Sequence, residues 1–320
     1  MTSSVAQRSG GPDSRSPDLS VSVAGIALKN PVIAASGTFG YGLEFEDVVH
    51  LNKLGGFVVK GLSAEPMAGN PPPRLYETAA GMLNAIGLQN IGARVFVEEK
   101  LPRLRKMKDI VLLANVFGYS REEYERAIHI LNEGEGIAAY ELNVSCPNTV
   151  SGGIQFGGDA RALDEVVNTA KRISRRPLIV KLSPNVTSIA QMARVCQEAG
   201  ADAISLVNTF VAMAIDAETR KPRIANVTAG LSGPAIKPIA LRMVYDASKA
   251  VSIPVIGMGG ISTAADIVEF MLAGAGAVQI GTASYWDPVA TEKIAAELET
   301  WCVEHRIQRV AELTGGMVME

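Results

Sequence analysis

Asn143-Val144-Ser145-Cys146-Pro147-Asn148 gathers a thiol, two carboxamides and a proline into six residues, and the glycine-rich run SGGIQFGG at 151–158 follows closely. Residues 138–142 (AAYEL) read as a buried strand, so Cys146 stands where that strand ends. A thiol of modestly lowered pKa is a thiolate near neutral pH, able to act as a nucleophile or a general base. Glycine hinges beside such a group suit a loop that covers it. A small apolar buried cysteine is the plainer alternative, but it leaves the flanking asparagines and proline without a task.

Other apolar runs also end in polar groups. Lys60 and Lys181 each follow apolar residues directly, where a lysine costs desolvation unless an anion or acceptor meets it. A redox cofactor that becomes anionic on reduction would supply that partner; a lysine snorkelling to a rim is the alternative. Asn115, Asn143 and Asn208-Thr209 end three further runs. With Asn84 they offer donors and acceptors without charge, which suits a planar ring carrying several C=O and N–H groups. Gly257-Met258-Gly259-Gly260 and Gly281-Thr282-Ala283 close the last two runs, where bare backbone N–H groups can cradle a phosphate. Turns and helix packing would ask for the same glycines. No carboxylate pair and no His-rich ligand set stands at these ends, so neither glycosidase chemistry nor a metal site is expected. Cys146, Cys196 and Cys302 are widely separated, which excludes a recognisable zinc or iron–sulfur spacing and fits a reducing, cytoplasmic compartment. Cys196 and Cys302 fall in predicted helices as packing residues.

Strands must carry these groups. Short β-rich runs recur at 31–37, 56–61, 110–118, 138–145, 177–183, 203–208, 254–260 and 277–282. Helical periodicity occupies 121–133, 160–174, 189–199, 264–273 and 288–305. Apolar strands alternating with helices imply βαβ units and a parallel sheet buried on both faces. Eight units predict an α/β fold of the (β/α)8 TIM barrel type, with a doubly wound sheet as runner-up because periodicity does not prove closure. Long connections at 62–90 and 210–250 predict extended βα loops on the catalytic face. Residues 19–29 predict a hairpin capping the opposite end. Residues 1–18, rich in Ser, Pro, Gly and Arg, read as a disordered N-terminal tail before a single domain at 19–320.

The 320 residues are 48% hydrophobic and 20% charged, a globular profile. Lys plus Arg number 30 against 33 Asp plus Glu, and the balance of −3 offers no basic footprint for nucleic acid. No apolar run approaches the length needed to span a bilayer, so neither nucleic acid nor membrane is an expected partner.

The chain resembles the dihydroorotate dehydrogenases, FMN enzymes of pyrimidine synthesis. The resemblance rests on NPVIAASGTFG at 30–40, VVKG at 58–61, GMLNAIGLQN at 81–90, NVSCPN at 143–148, VKLSPN at 180–185, VNT at 207–209, LSGPAIKP at 231–238, GMGG at 257–260 and IGTA at 280–283. Nine motifs in order across residues 20–285 are highly specific. The cysteine, where the membrane-bound class has serine, resembles class 1, and SGGIQFG at 151–157 is more similar to the 1B catalytic subunits than to the fumarate-using 1A enzymes. Val150 replaces the lysine of many 1B lids, and Met67-Ala68 stands where an arginine is usual.

The resemblance implies that Cys146 removes the C5 proton of dihydroorotate while C6 passes a hydride to flavin N5. It implies a substrate site of Lys60, Asn84, Ala85, Ile86, Gly87, Leu88, Asn143, Asn208 and Thr209, which Asn148 could join. One FMN per chain is implied on Ser36, Lys60, Gly61, Asn115, Asn143, Lys181, Val207, Gly233, Gly259, Gly260, Gly281 and Thr282. Lys181 would stabilise the reduced flavin. A homodimer is also implied, joined in a heterotetramer to an electron-transfer subunit with FAD and a [2Fe-2S] cluster that delivers electrons to NAD. The alternatives are a fumarate-linked 1A enzyme, a dihydropyrimidine- or dihydrouridine-type FMN oxidoreductase, and a non-enzymatic phosphate-binding barrel.

Overall fold

The computed structural model describes residues 16–145 and 156–319, so Cys146 to Gln155, and with them the predicted base and Asn148, lie outside the described residues. The chain opens with a hairpin, β1 (Val21–Val23) and β2 (Ile26–Leu28), as expected for 19–29. The first two barrel strands are β3 (Val32–Ala34) and β4 (Gly56–Val58). The long connection after them folds as a second hairpin, β5 (Leu75–Thr78) and β6 (Gly81–Asn84). Four more barrel strands follow: β7 (Leu112–Val116), β8 (Ala139–Asn143), β9 (Leu178–Lys181) and β10 (Ala203–Leu206). A second insertion holds β11 (Phe210–Met213), β12 (Ile215–Asp216), β13 (Lys221–Pro222) and β14 (Thr228–Ser232). The barrel strands β15 (Val255–Met258) and β16 (Ala277–Ile280) complete the set.

The eight predicted runs close as a parallel barrel in the ring order β3-β4-β7-β8-β9-β10-β15-β16, which settles the choice against a doubly wound sheet. Each strand is buried on both faces because side chains alternate between two cores. Leu112, Ala114 and Val116 on β7, with Tyr140 and Leu142 on β8, face outward into the layer shared with the helices. Ile33, Val58, Leu113, Ala139, Ile179, Ala203, Ile256 and Ala277 face inward and form one apolar layer near the strand starts. Val23 and Leu28 of the first hairpin pack on that layer and plug the barrel from below.

The predicted helices form with near-identical bounds, at Arg121–Asn132, Ala160–Ile173, Ile189–Glu198, Ala264–Leu272 and Ala290–Glu304. Their starts are capped by side chains: Ser120, Asp159 and Ser188 each accept from a backbone N–H one turn on, and Thr263 and Asp266 form a reciprocal capping box. In Arg121–Asn132 the buried Tyr124, Ala127, Ile128 and Leu131 make the stripe that packs on the barrel. Two expectations need correction. The stretch 210–250 is not loop throughout, since Lys237–Ala250 is the barrel helix after β10, opened by Pro238 in its first turn. Asp18, counted in the predicted tail, is tied to the barrel: its backbone N–H donates to Gln308 O and its carbonyl accepts from Val310 N, at 2.8 and 2.9 Å.

Candidate active site

The same alternation that builds the apolar layer builds the site. Two residues further along each strand, the inward positions are Lys60, Asn115, Glu141, Lys181, Ser205 and Gln279, with Ala35 and Met258 completing the ring. A polar layer therefore lies directly on an apolar one. Above it opens a cavity of about 250 Å³ lined by Lys60, Asn115, Lys181 and Gln279 from this layer.

Glu141 is fully buried under the cavity and is the hub of the layer. Its Oε1 accepts from Asn115 Nδ2 at 2.8 Å, and its Oε2 accepts from Ser205 Oγ at 3.0 Å and from Gln279 Nε2. The Lys181 ammonium lies 3.8 Å from Oε1 and donates to Ser36 Oγ at 3.3 Å. Sequence reasoning missed Glu141, Ser205 and Gln279 as site residues. The available signal was the Ala139-x-Glu141-x-Asn143 alternation, which points a carboxylate into the barrel. Among the described residues Lys60 has no such counter-ion: burial pushes its ammonium pKa down, and the nearby Arg74 guanidinium adds to the effect. That corner favours an anion.

At the strand ends Asn143 Oδ1 accepts from Asn208 Nδ2 at 3.2 Å and from Ser145 Oγ at 3.1 Å. The Tyr124 hydroxyl donates to Asn143 O at 2.7 Å, fixing the backbone two residues ahead of Ser145. Asn208 Oδ1 in turn accepts from Thr209 N at 2.9 Å. Three predicted residues, Asn143, Asn208 and Thr209, are thus brought together beside Ser145, where the described part of this strand end stops.

The two insertions meet over the mouth as a four-stranded antiparallel sheet in the order β11-β14-β6-β5. Asn84 pairs with Gly230 in register and donates from Nδ2 to its carbonyl at 3.4 Å. Gly230 is required there: a Cβ would fall 2.1 Å from Thr209 Oγ1. Met82, Asn84 and Ile86 face the cavity, followed by Gly87 and Leu88. Ala85 does not line it; strand alternation turns Ala85 into a small core with Leu83, Ile224 and Ala229.

Much of the remaining lining is backbone. Gly61, Val207, Gly233, Gly259, Gly260, Gly281 and Thr282, from the predicted set, line the cavity with Ser36, together with Ser232, Tyr285 and Trp286, which were not foreseen. Thr282 Oγ1 donates to Ser232 Oγ at 2.9 Å. Gly260 has φ +77°, and a Cβ would lie 2.8 Å from Gly233 O, so the loops after β14 and β15 touch main chain to main chain. Among the described residues, Gln279 Oε1 is the buried side-chain polar atom left without a hydrogen-bond partner. An acceptor held in the layer that floors the cavity fits a ring N–H, two lysines fit a ring that gains negative charge, and the glycine end fits a phosphate. The donor set matches FMN. No cluster of metal-ligating side chains occurs among the described residues, and no described helix is long and apolar enough to cross a membrane.

The family model for dihydroorotate dehydrogenase matches residues 18–301. A Solibacter usitatus protein provisionally named dihydroorotate dehydrogenase A (fumarate) is 60% identical over 93% of this chain and 98% of its own length. The dihydroorotate dehydrogenase B (NAD(+)) catalytic subunit of Citrifermentans bemidjiense is 54% identical over 94% of this chain and 98% of its own. That of Geotalea uraniireducens is 55% identical over 94% and 99%. Barrel, polar floor and family match agree: this chain belongs to the dihydroorotate dehydrogenase family.

Proposed function

We propose that this chain is the FMN-dependent catalytic subunit of an NAD-linked dihydroorotate dehydrogenase, oxidising (S)-dihydroorotate to orotate in the making of UMP. The observation that carries the reading is one cavity with a cation-and-amide floor at one end and a glycine backbone cradle at the other. When bound, FMN supplies the hydride acceptor. Lys181, Asn115 and Gln279 hold its ring, while Gly259, Gly260, Gly281 and Thr282 hold its phosphate. Asn84, Asn143, Asn208 and Thr209 orient the substrate ring, and Lys60 takes its carboxylate. Cys146, next after the Asn143–Ser145–Asn208 cluster, removes the C5 proton as thiolate.

The electron relay belongs to a second polypeptide bearing FAD and a [2Fe-2S] cluster, since Cys196 and Cys302 are buried in separate helices. A homodimeric core within a cytoplasmic heterotetramer completes the reading. Anaerobic titration of the yellow protein with dihydroorotate tests it: the flavin absorbance should bleach, and Cys146→Ala should slow bleaching by roughly 10²–10⁴-fold with FMN still bound. A flavin that dihydroorotate leaves oxidised would sink the assignment. The 60% identity to a protein named for fumarate favours one second reading, the 1A enzyme. Recovery of colour on adding fumarate to the reduced chain alone would select it over the NAD-linked form.

A further inference from the structure

Glu141 has no task in the chemistry just assigned, yet it is a carboxylate sealed inside the barrel. A buried charge persists only where its neighbours compensate it, and apolar replacements of buried ion pairs are often more stable. Its environment is specific. The layer beneath has alanine, at positions 139, 203 and 277, on the strands that carry Glu141, Ser205 and Gln279, leaving room for these side chains to converge. β8 and β16 stand diametrically opposite in the ring, so the Glu141–Gln279 hydrogen bond crosses the full barrel. With Asn115, Lys181 and Ser205, one carboxylate ties together five of the eight strands.

Two consequences reach the cavity. A carboxylate only accepts, so Asn115 and Gln279 must turn their NH₂ groups down to it and keep their carbonyl oxygens for other partners. Gln279 Oε1 is left unpartnered by this choice. In addition, the negative charge 3.8 Å from the Lys181 ammonium partly offsets that cation. A fully buried pair is poorly screened by salt, so the offset is felt at the ring site.

We propose that Glu141 is a positioning residue for the flavin, fixing the donor–acceptor polarity of the floor and, by partly neutralising Lys181, setting the midpoint potential of the bound FMN. The proposal rests on the functional reading above. Glu141→Gln removes the charge, leaves Lys181 uncompensated and lets the two amides reverse. The apoprotein should then bind FMN more weakly, at least tenfold by fluorescence quenching. The bound flavin should also become easier to reduce. At a fixed potential its reduced-to-oxidised ratio should rise about tenfold, equivalent to ~30 mV for a two-electron couple, read against a reference dye. Ser205→Ala, which only withdraws a hydroxyl from Oε2, should leave the negative charge less compensated and move the potential the opposite way. It also serves as the probe if Glu141→Gln fails to fold. Opposite signs are the signature that a merely structural carboxylate would not give.

Unchanged FMN affinity and potential in Glu141→Gln overturn the proposal, as do shifts of the same sign in both variants. If Ser205→Ala alone can be made, an unmoved potential overturns it. A wild-type chain that takes up no FMN overturns the functional reading and this proposal together. One that takes up FMN and bleaches with dihydroorotate, yet does not respond to these substitutions, overturns this proposal alone.

Discussion

Gly230→Ala probes the mouth sheet without touching the flavin floor. The new Cβ would sit 2.1 Å from Thr209 Oγ1 and 2.6 Å from Thr209 Cβ. Because the second contact is to Cβ itself, no rotation of the Thr209 side chain relieves it, and main chain must move by about 1 Å to restore van der Waals distance. Either β14 lifts from the mouth, carrying the Gly230 carbonyl away from Asn84 Nδ2, or Thr209 is driven from its place beside Asn208. Overpacking of this kind costs roughly 1–3 kcal/mol in stability. A displacement of about 1 Å in substrate-orienting groups costs about 10²-fold in rate. The expected result is a fall in kcat/KM for dihydroorotate of that order, a Tm lower by a few degrees, and an unchanged flavin content per chain. Gly276→Ala is the control, since among the described residues its added Cβ would meet nothing nearer than Val23 Cγ2 at 3.9 Å. If Gly230→Ala kept kcat/KM within threefold of wild type, the assignment of Thr209 and Asn84 to substrate orientation would be refuted.

The depressed pKa of Lys60 predicts a basic limb in the affinity for dihydroorotate that begins below the ordinary lysine range, as the ammonium facing the substrate carboxylate is lost. Arg74→Ala removes one of the two causes and should move that limb to higher pH; a limb that stays put in a pH series of Kd values would separate the two residues. Burial alone would raise the pKa of Asp266, but its hydrogen bonds to Lys237 and to Ser262 N outweigh that and hold it below 3.8. Its stability contribution is therefore present above the unfolded value and lost as pH falls through the lowered one. Asp266→Asn should cost roughly 1 kcal/mol at pH 7, the worth of a helix cap, with the gap to wild type closing in acid denaturation below pH 3.8. Burial drives the Cys196 thiol pKa far up, and Cys302 is raised by burial and then by Glu299. Alkylation of the folded chain, mapped by mass spectrometry, should leave both untouched and modify Cys146 alone.

The barrel strands were legible because a strand buried on both faces writes its burial as a nearly continuous apolar run, as in Val32–Ala34 or Val255–Met258. Helix bounds were legible because Ser120, Asp159, Ser188 and Thr263 cap where the periodicity begins. Site residues at strand ends could be collected from the barrel prediction alone, since closure brings all such ends to one cavity. The mouth sheet was illegible: β6 and β14 pair across 146 positions of sequence, at Asn84 and Gly230, with no local turn to announce it. Ala85 illustrates the cost, because a motif cannot say which of its residues turn inward. Glu141 was read as one acid in an apolar run; Asn115 faces it from the adjacent β7, but its partners on β10 and β16 become its neighbours only when the ring closes.

That mouth sheet is built wholly from the two insertions, whereas the floor beneath is built from the barrel strands. Selectivity for the ring being oxidised can therefore drift, or be transplanted, while the electron-accepting apparatus is inherited intact. The exchangeable unit is not either loop but both, since β6 and β14 are each other's neighbours. A hybrid carrying the first insertion from one relative and the second from another would join strands selected for different partners, so these two distant stretches are bound to evolve as one.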